Sequence, residues 1–281
     1  NYPVTTGLMP WVYKRPWPVI AIQTMDWFGQ TSAPYYFLKR TYEPTHILLD
    51  LPRLIWKSGE TINFVAKVTN SGESFRGSTI SVSVFDDHFV KLLQNEKIAD
   101  IAEGTSVTCV ALNNYSIPLE YKDRFLFLVA EVHNTHGELV SRSVYYPRVL
   151  TLMDNPDFYA SYTSGPVPWI NLDKGPWLKP SVAKTKAGIK VQLVEQQKIS
   201  DQRRRLKLKI TNEGKIPAFM VNLNIDGIKR AFFATDNYFW MAPGESRELI
   251  LDVQFRESPL GKNIYLEAGA WNSKKQQIKL N

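Results

Sequence analysis

Lys57-Ser58-Gly59-Glu60-Thr61-Ile62-Asn63-Phe64-Val65-Ala66-Lys67-Val68-Thr69-Asn70-Ser71-Gly72 reads as a turn, a strand and a second turn. Ile62, Phe64, Ala66 and Val68 occupy alternate positions. Side chains of an extended strand change face at every residue, so these four share one buried face. The same texture continues on both sides. Ile47-Leu48-Leu49 and Leu54-Ile55-Trp56 precede it. Ile80, Val82 and Val84 alternate after it, as do Phe125, Phe127 and Val129. His133-Asn134-Thr135-His136-Gly137 is a hairpin turn into Leu139–Tyr145. About seven short strands in about 100 residues predict an immunoglobulin-like β-sandwich over residues 45–152.

A second sandwich is predicted over residues 189–281. Ile189-Lys190-Val191-Gln192-Leu193 opens it, and Leu206, Leu208 and Ile210 alternate before the turn Asn212-Glu213-Gly214. Phe219, Val221, Leu223 and Ile225 follow, with a hairpin turn at Asp226-Gly227. The turn Met241–Glu245 precedes Leu249, Leu251 and Val253, and Ile264, Leu266 and Ala268 form a late strand. No repeat aligns the two sandwiches. Between them, residues 153–188 carry Pro156, Pro166, Pro168, Pro176 and Pro180 among Phe158, Tyr159, Tyr162, Trp169 and Trp177. So many rings suit a packed strap better than a free linker, and Trp169 and Trp177 are candidates for sugar stacking.

Residues 1–44 differ again. A strand at Leu8–Tyr13 leads into Arg15-Pro16-Trp17-Pro18, where each proline forces the residue before it into extended geometry. Thr31-Ser32-Ala33-Pro34 is a helix start, with Tyr35, Leu38 and Tyr42 at helical spacing and Pro44 as the stop. One strand and one helix cannot bury their own apolar surface, so this unit is expected to pack against something absent from the chain.

Hydrophobic residues make up 44% of the 281 and charged residues 22%, which is a globular balance. No apolar run approaches the roughly 18 residues of a membrane span. Asn1–Pro10 lacks the basic and apolar regions of a signal peptide. Cys109 is the single cysteine, which excludes an intrachain disulfide and a Cys-based zinc site. The net charge of +7 raises nucleic acid as a partner, but the one dense basic run, Arg203–Lys209, alternates with Leu206 and Leu208 as a solvated strand face. No nucleic-acid motif accompanies it.

Catalytic and metal motifs are few. No Gly-rich phosphate loop, zinc helix, nucleophile elbow or EF-hand loop occurs, and no cofactor is implied. His133 and His136 sit in a turn without a third ligand. Asp86-Asp87-His88 reads as a turn at a strand end rather than a calcium site, and Asp236-Asn237 as a side-chain-to-backbone turn. The aromatic N-terminal segment remains. Sugars present apolar C–H faces that flat rings meet well, and Trp11 ends its strand, with Trp17 and Trp27 on the loop side.

Those residues carry a resemblance. Gly7-Leu8-Met9-Pro10-Trp11 through Trp17-Pro18, then Asp26-Trp27-Phe28-Gly29, then Tyr35–Pro44 resemble the last βα unit of the catalytic (β/α)8 barrel in glycoside hydrolase family two. The likeness is greatest to the β-mannosidase branch, which includes exo-β-glucosaminidases. About 200 residues on, Thr235-Asp236-Asn237-Tyr238-Phe239 and Pro243-Gly244-Glu245 resemble the family's C-terminal immunoglobulin-like domain. The resemblance implies a mainly β chain in which 1–44 is the end of the barrel and two sandwiches follow. It implies a retaining exo-glycosidase for terminal β-mannosyl or related sugars, with two glutamates about 5–5.5 Å apart. Both glutamates lie upstream of this chain, since Asn95-Glu96 and Asn212-Glu213 read as sandwich turns. No catalytic residue is therefore assigned here. Trp11 and Trp17 are the implied substrate-binding residues, the carbohydrate being met through the parent barrel. Lys14 and Arg15 depart from the Asn-Asp expected in β-mannosidases, which leaves the sugar open. The family implies a periplasmic or secreted location. The alternative reading is a non-catalytic carbohydrate-binding or adhesin-type tandem module, with Trp169, Trp177 and Trp240 as exposed rings. Oligomeric state is not legible.

Overall fold

The computed structural model describes residue 14 and residues 24–104, 108–164 and 178–280. The chain divides into two compact units. One contains Glu43–Ser181, and the other joins Gly7–Tyr42 to Val182–Asn281.

Helix α1 spans Ala33–Thr41. Strands β1 Thr45–Asp50, β2 Ile55–Trp56, β3 Thr61–Asn70, β4 Phe75–Asp86, β5 Lys91–Ile101, β6 Thr108–Ser116, β7 Arg124–His133, β8 Leu139–Tyr145 and β9 Arg148–Val149 build the first sandwich. One sheet has the order β1-β3-β6, and the other runs β2-β9-β7-β4-β5 with β8 also on β7. Ile62, Phe64, Ala66 and Val68 do share one face, burying it against Ile80, Val82 and Val84 of the opposite sheet. Burying one such aliphatic side chain contributes about 1.5–3 kcal/mol. On β7 the residues facing this core are Leu126, Leu128, Ala130 and Val132, not the predicted Phe125, Phe127 and Val129. Both faces of that central strand are covered, since Phe89 stacks on Phe127 with ring centroids 4.9 Å apart. A strand buried on both faces loses the alternation that sequence reading relies on.

After a 3-10 turn at Thr151–Asp154 comes helix α2, Pro156–Ser164. The residues read as an irregular strap thus begin with a helix. Asn155 starts it, its Oδ1 accepting from the Phe158 amide at 3.0 Å. Leu152, Phe158, Tyr159 and Tyr162 pack on Ile55, Leu150 and Met153 of the first unit. Tyr159 donates to Glu60 Oε1 at 2.7 Å, and the Arg53 guanidinium lies 4.2 Å over Trp56 while pairing with Glu60 at 2.7 Å. Helix α3 is Leu178–Val182.

The second sandwich contains β10 Ile189–Ser200, β11 Arg203–Asn212, β12 Ala218–Asp226, β13 Arg230–Ala234, β14 Phe239–Met241, β15 Ser246–Phe255, β16 Ile264–Gly269 and β17 Gln276–Leu280. Its sheets run β10-β11-β15-β13 and β14-β12-β16-β17. Leu206, Leu208 and Ile210 point into the core as predicted. On the outer face Arg205 pairs with Asp252 at 2.7 Å and Lys207 with Glu248 at 3.0 Å across the β11–β15 ladder. Arg204 turns inward and donates to the Ser200 carbonyl at 2.5 Å. Half the predicted basic face is therefore neutralised by its neighbours.

The two sandwiches share a corner that the sequence did not align. β3 ends at Asn70 and β11 at Asn212, both buried. Each Oδ1 accepts from a glycine amide two residues on, Gly72 at 3.0 Å and Gly214 at 3.1 Å. Each Nδ2 donates to backbone carbonyls, among them Ala102 at 3.1 Å in one case and Ala242 at 3.3 Å in the other. The amide after each asparagine bonds the residue before the first strand at 2.8 Å, Ser71 to Pro44 and Glu213 to Gly188.

Asn95-Glu96 is not in a turn. It lies inside β5, paired with Ser81 and Val82 of β4.

Candidate functional site: the seat of the N-terminal helix

The helix read as partnerless has a partner in this chain. Nine residues of helix are too few to be stable alone in water, so α1 depends on what it touches. Pro34 sits in its first turn and Lys39 and Arg40 in its last, where cations favour the dipole. Ser32 is the N-cap by position, but its hydroxyl donates to the Thr24 carbonyl at 2.8 Å instead of capping the helix. Tyr35 and Leu38 lie in the helix and Tyr42 is its C-cap, but the residue it buries is Tyr36, while Tyr42 is exposed. Tyr36 is fully buried within the core of the second sandwich, beside Phe232, Ala234 and Phe239.

Its hydroxyl is satisfied twice. The Ala234 amide donates to it at 3.2 Å, and it shares a 2.9 Å hydrogen bond with Thr31 Oγ1. Burial pushes the Tyr36 phenol above its usual value, and the hydrogen bonds with Thr31 and Ala234 do not cancel that push. One turn on, Arg40 donates to Asp236 Oδ1 at 2.5 Å, and to the carbonyls of Asn237 and Tyr238 at 3.2 Å each. Lys39 donates to the Thr235 carbonyl. Asp236 is bound on its other oxygen by Arg247 at 3.2 Å, and Arg247 also pairs with Glu245 at 2.7 Å. Asn237 faces inward, its Oδ1 accepting from the Leu223 amide at 2.9 Å and its Nδ2 donating to the Leu223 carbonyl. The side-chain-to-backbone reading therefore holds for both residues, since Asp236 Oδ1 also accepts from the Asn237 amide at 2.8 Å; to it the structure adds the two arginines on Asp236.

The Asp26–Gly29 motif is a tight hairpin. Asp26 Oδ1 accepts from the Gln30 amide at 2.8 Å, Gly29 has φ 80°, and Met25 bridges Thr31 antiparallel. Met25 also bridges Lys14 in parallel, and the Lys14 ammonium stands 5.8 Å over the exposed Trp27 ring. Arg256 of the sandwich donates to the Phe28 carbonyl at 3.3 Å. The two motif groups that carried the resemblance, Tyr35–Pro44 and Thr235–Phe239, are thus two halves of one seat. Charge pattern offered the only sequence signal for it, a basic helix end and an acidic residue inside an aromatic stretch.

Trp11, Trp17, Trp169 and Trp177 lie outside the described residues. Trp240 is buried at 4% exposure, edge-on to Phe219, so it cannot be the exposed ring that the binding-module reading requires. The Asp86, Asp87 and His88 ligand atoms lie within 4.8 Å of one another, but the turn reading stands. Asp86 Oδ1 accepts from the amides of His88 and Val90 at 2.9 Å each, and Arg124 contacts Asp86 at 3.1 Å, Asp87 through Nε at 2.8 Å and His88 at 3.0 Å. A guanidinium already stands where a cation would. Among the described residues no helix is long and apolar enough to cross a membrane.

With this geometry in hand, comparison with known proteins is direct. Residues 182–273 match the family model of the exo-β-D-glucosaminidase Ig-fold domain. No curated protein matches the chain. Among solved structures, the exo-chitosanase CsxA of Amycolatopsis orientalis, in complex with PNP-β-D-glucosamine, is similar with TM-score 0.67 at 16% identity over 98% of this chain and 31% of that one. The β-D-mannosidase of Dictyoglomus thermophilum gives TM-score 0.51 at 14% identity, over 94% of this chain and 26% of that one. The chain therefore spans about 30% of the length of the exo-chitosanase it matches. Identities this low establish a shared fold. Together with the matched domain they support a C-terminal fragment of the exo-glucosaminidase and mannosidase type in glycoside hydrolase family two.

Proposed function

We propose that this chain is the C-terminal accessory region of a retaining exo-glycosidase that removes terminal β-mannosyl or related β-linked sugars, β-glucosaminyl among them. The observation that carries the reading is the match of residues 182–273 to the exo-β-D-glucosaminidase Ig-fold domain. The helix seat supports it. In this reading residues 1–44 close the catalytic barrel, and α1 ties that closing segment to the C-terminal sandwich through Tyr36 and Arg40. Hydrolysis with retention needs an acid/base and a nucleophile, both carboxyl groups. Both belong to earlier barrel strands, so the chain positions and supports but performs no bond cleavage. Trp11 and Trp17 supply ring faces to the sugar. Enzyme location follows the family reading, periplasmic or secreted.

The test is an assay of purified chain 1–281 and of the full-length protein on p-nitrophenyl β-glucosaminide and β-mannoside. The full-length protein should hydrolyse at least one, and the chain alone neither. Hydrolysis by the chain alone, or by neither protein, rejects the reading.

A further inference from the structure

A continuous set of contacts joins the C-terminal sandwich to Lys14. Lys14 bridges Met25, Met25 bridges Thr31, the Thr31 hydroxyl meets the Tyr36 hydroxyl at 2.9 Å, and that hydroxyl takes the Ala234 amide at 3.2 Å. Thr24, Met25 and Thr31 are all buried, so these links are shielded from competing water. The Ser32 amide and hydroxyl both donate to the Thr24 carbonyl, at 3.1 and 2.8 Å, which closes the hairpin base. Arg256 holds the hairpin tip at the Phe28 carbonyl. Tyr36 is the one side chain in this set that is both inside the sandwich core and bonded to the hairpin.

We infer that Tyr36 and Thr31 are positioning residues through which the C-terminal sandwich fixes the Met25 bridge and, through it, Lys14. The inference rests on the proposed function for its consequence, which is that a domain remote from the chemistry sets how well the sugar platform is placed. Whichever hydroxyl donates, the Tyr36–Thr31 bond needs both, so deleting either breaks the link while leaving the ring or the β-branched stem in place.

The experiment uses the full-length enzyme carrying Tyr36→Phe, Thr31→Val or Thr31→Ser. Hydrogen exchange of peptides covering 14–31 should accelerate about tenfold in the first two variants and stay at the wild-type rate in Thr31→Ser, with β11 protection unchanged in all three. On p-nitrophenyl β-glucosaminide or β-mannoside, KM should rise about three- to tenfold with kcat within about twofold, the pattern of lost uniform binding. Unchanged exchange over 14–31 in both Tyr36→Phe and Thr31→Val overturns the inference. So does acceleration spread equally over β11, which would make the hydroxyls general stabilisers. Exchange is read without substrate. An enzyme inactive on both sugars would therefore reject the proposed function, while the exchange result still decides the coupling.

Discussion

Tyr36 and Ala234, 198 positions apart, share a buried hydrogen bond in which the Ala234 amide donates to the phenol. The helix that looks like the tail of another domain is therefore a working part of the C-terminal sandwich. Tyr36→Ala should cost about 3–5 kcal/mol, because it removes a fully buried ring and leaves a cavity in a packed core. Tyr36→Phe should cost about 1–3 kcal/mol, since the ring stays but the Ala234 amide loses its acceptor. Chemical denaturation of the second unit would order the two variants this way. A Tyr36→Phe cost near zero would mean the hydroxyl contributes nothing, and equal costs would mean that the ring does not contribute.

Asp236 binds two arginines and each arginine binds elsewhere as well, so the two ends of the Arg40–Asp236 pair are unequal. Asp236→Ala should destabilise the second unit by about 2–3 kcal/mol, leaving Arg40 and Arg247 close together without their shared anion. Arg40→Ala should cost about 1 kcal/mol, because Asp236 keeps Arg247. Thermal melts should show the aspartate variant falling further, by about 2–4 °C per kcal/mol.

The paired corners predict a matched loss. Asn70→Ala and Asn212→Ala each strand one glycine amide and at least two backbone carbonyls, and each should cost about 1–3 kcal/mol in its own sandwich. Gly188→Ala should be worse than Gly72→Ala. A methyl on Gly188 would meet the Gly214 amide nitrogen at 2.7 Å, whereas one on Gly72 would come no nearer than the Pro44 ring at 3.1 Å. Proteolysis of each unit over a denaturant series reads the two sandwiches separately.

Glu60 gives a pH dependence. Burial pushes its carboxyl up, but the hydrogen bonds from Tyr159, the Lys57 amide and Arg53, with the Arg53 charge, outweigh burial and hold it below the usual glutamate range. A carboxyl depressed in the folded state adds stability that is full above its unfolded value and is lost as pH falls through the folded one. Glu60→Gln should therefore destabilise the seating of α2 at neutral pH, and the difference from wild type should shrink as pH falls below about 4. A difference that persists undiminished at pH 3 would show that charge is not the source.

Much of the architecture was legible because it depends on local rules. Ile62 to Val68 and Leu206 to Ile210 each alternate against one core, so period two was a true signal. Phe125 to Val129 misled because β7 is buried on both sides, where alternation carries no information about the core. Helix α2 was hidden by its proline and its rings. Pro156 sits at its first position, where a missing amide is harmless, and its rings pack on Ile55 and Met153. The seat was the least legible part. Each half was visible as a motif, but nothing local says that Arg40 and Asp236 meet, because the pairing is set by α1 meeting the segment 235–238, about 200 residues on. The rings at positions 11, 17, 169 and 177 remain sequence expectations.

The seat also orders events during synthesis. Residue 36 leaves the ribosome long before residue 234, and at about 5–20 residues per second the interval is about 10–40 s. Throughout it the nascent α1 has no Ala234 amide, no Asp236 and no core for Tyr36, while Glu43–Ser181 emerges and can fold as a unit. A nine-residue helix with an exposed tyrosine and two cations is then a natural substrate for a holdase. The last sandwich to be made is the one that ends the wait.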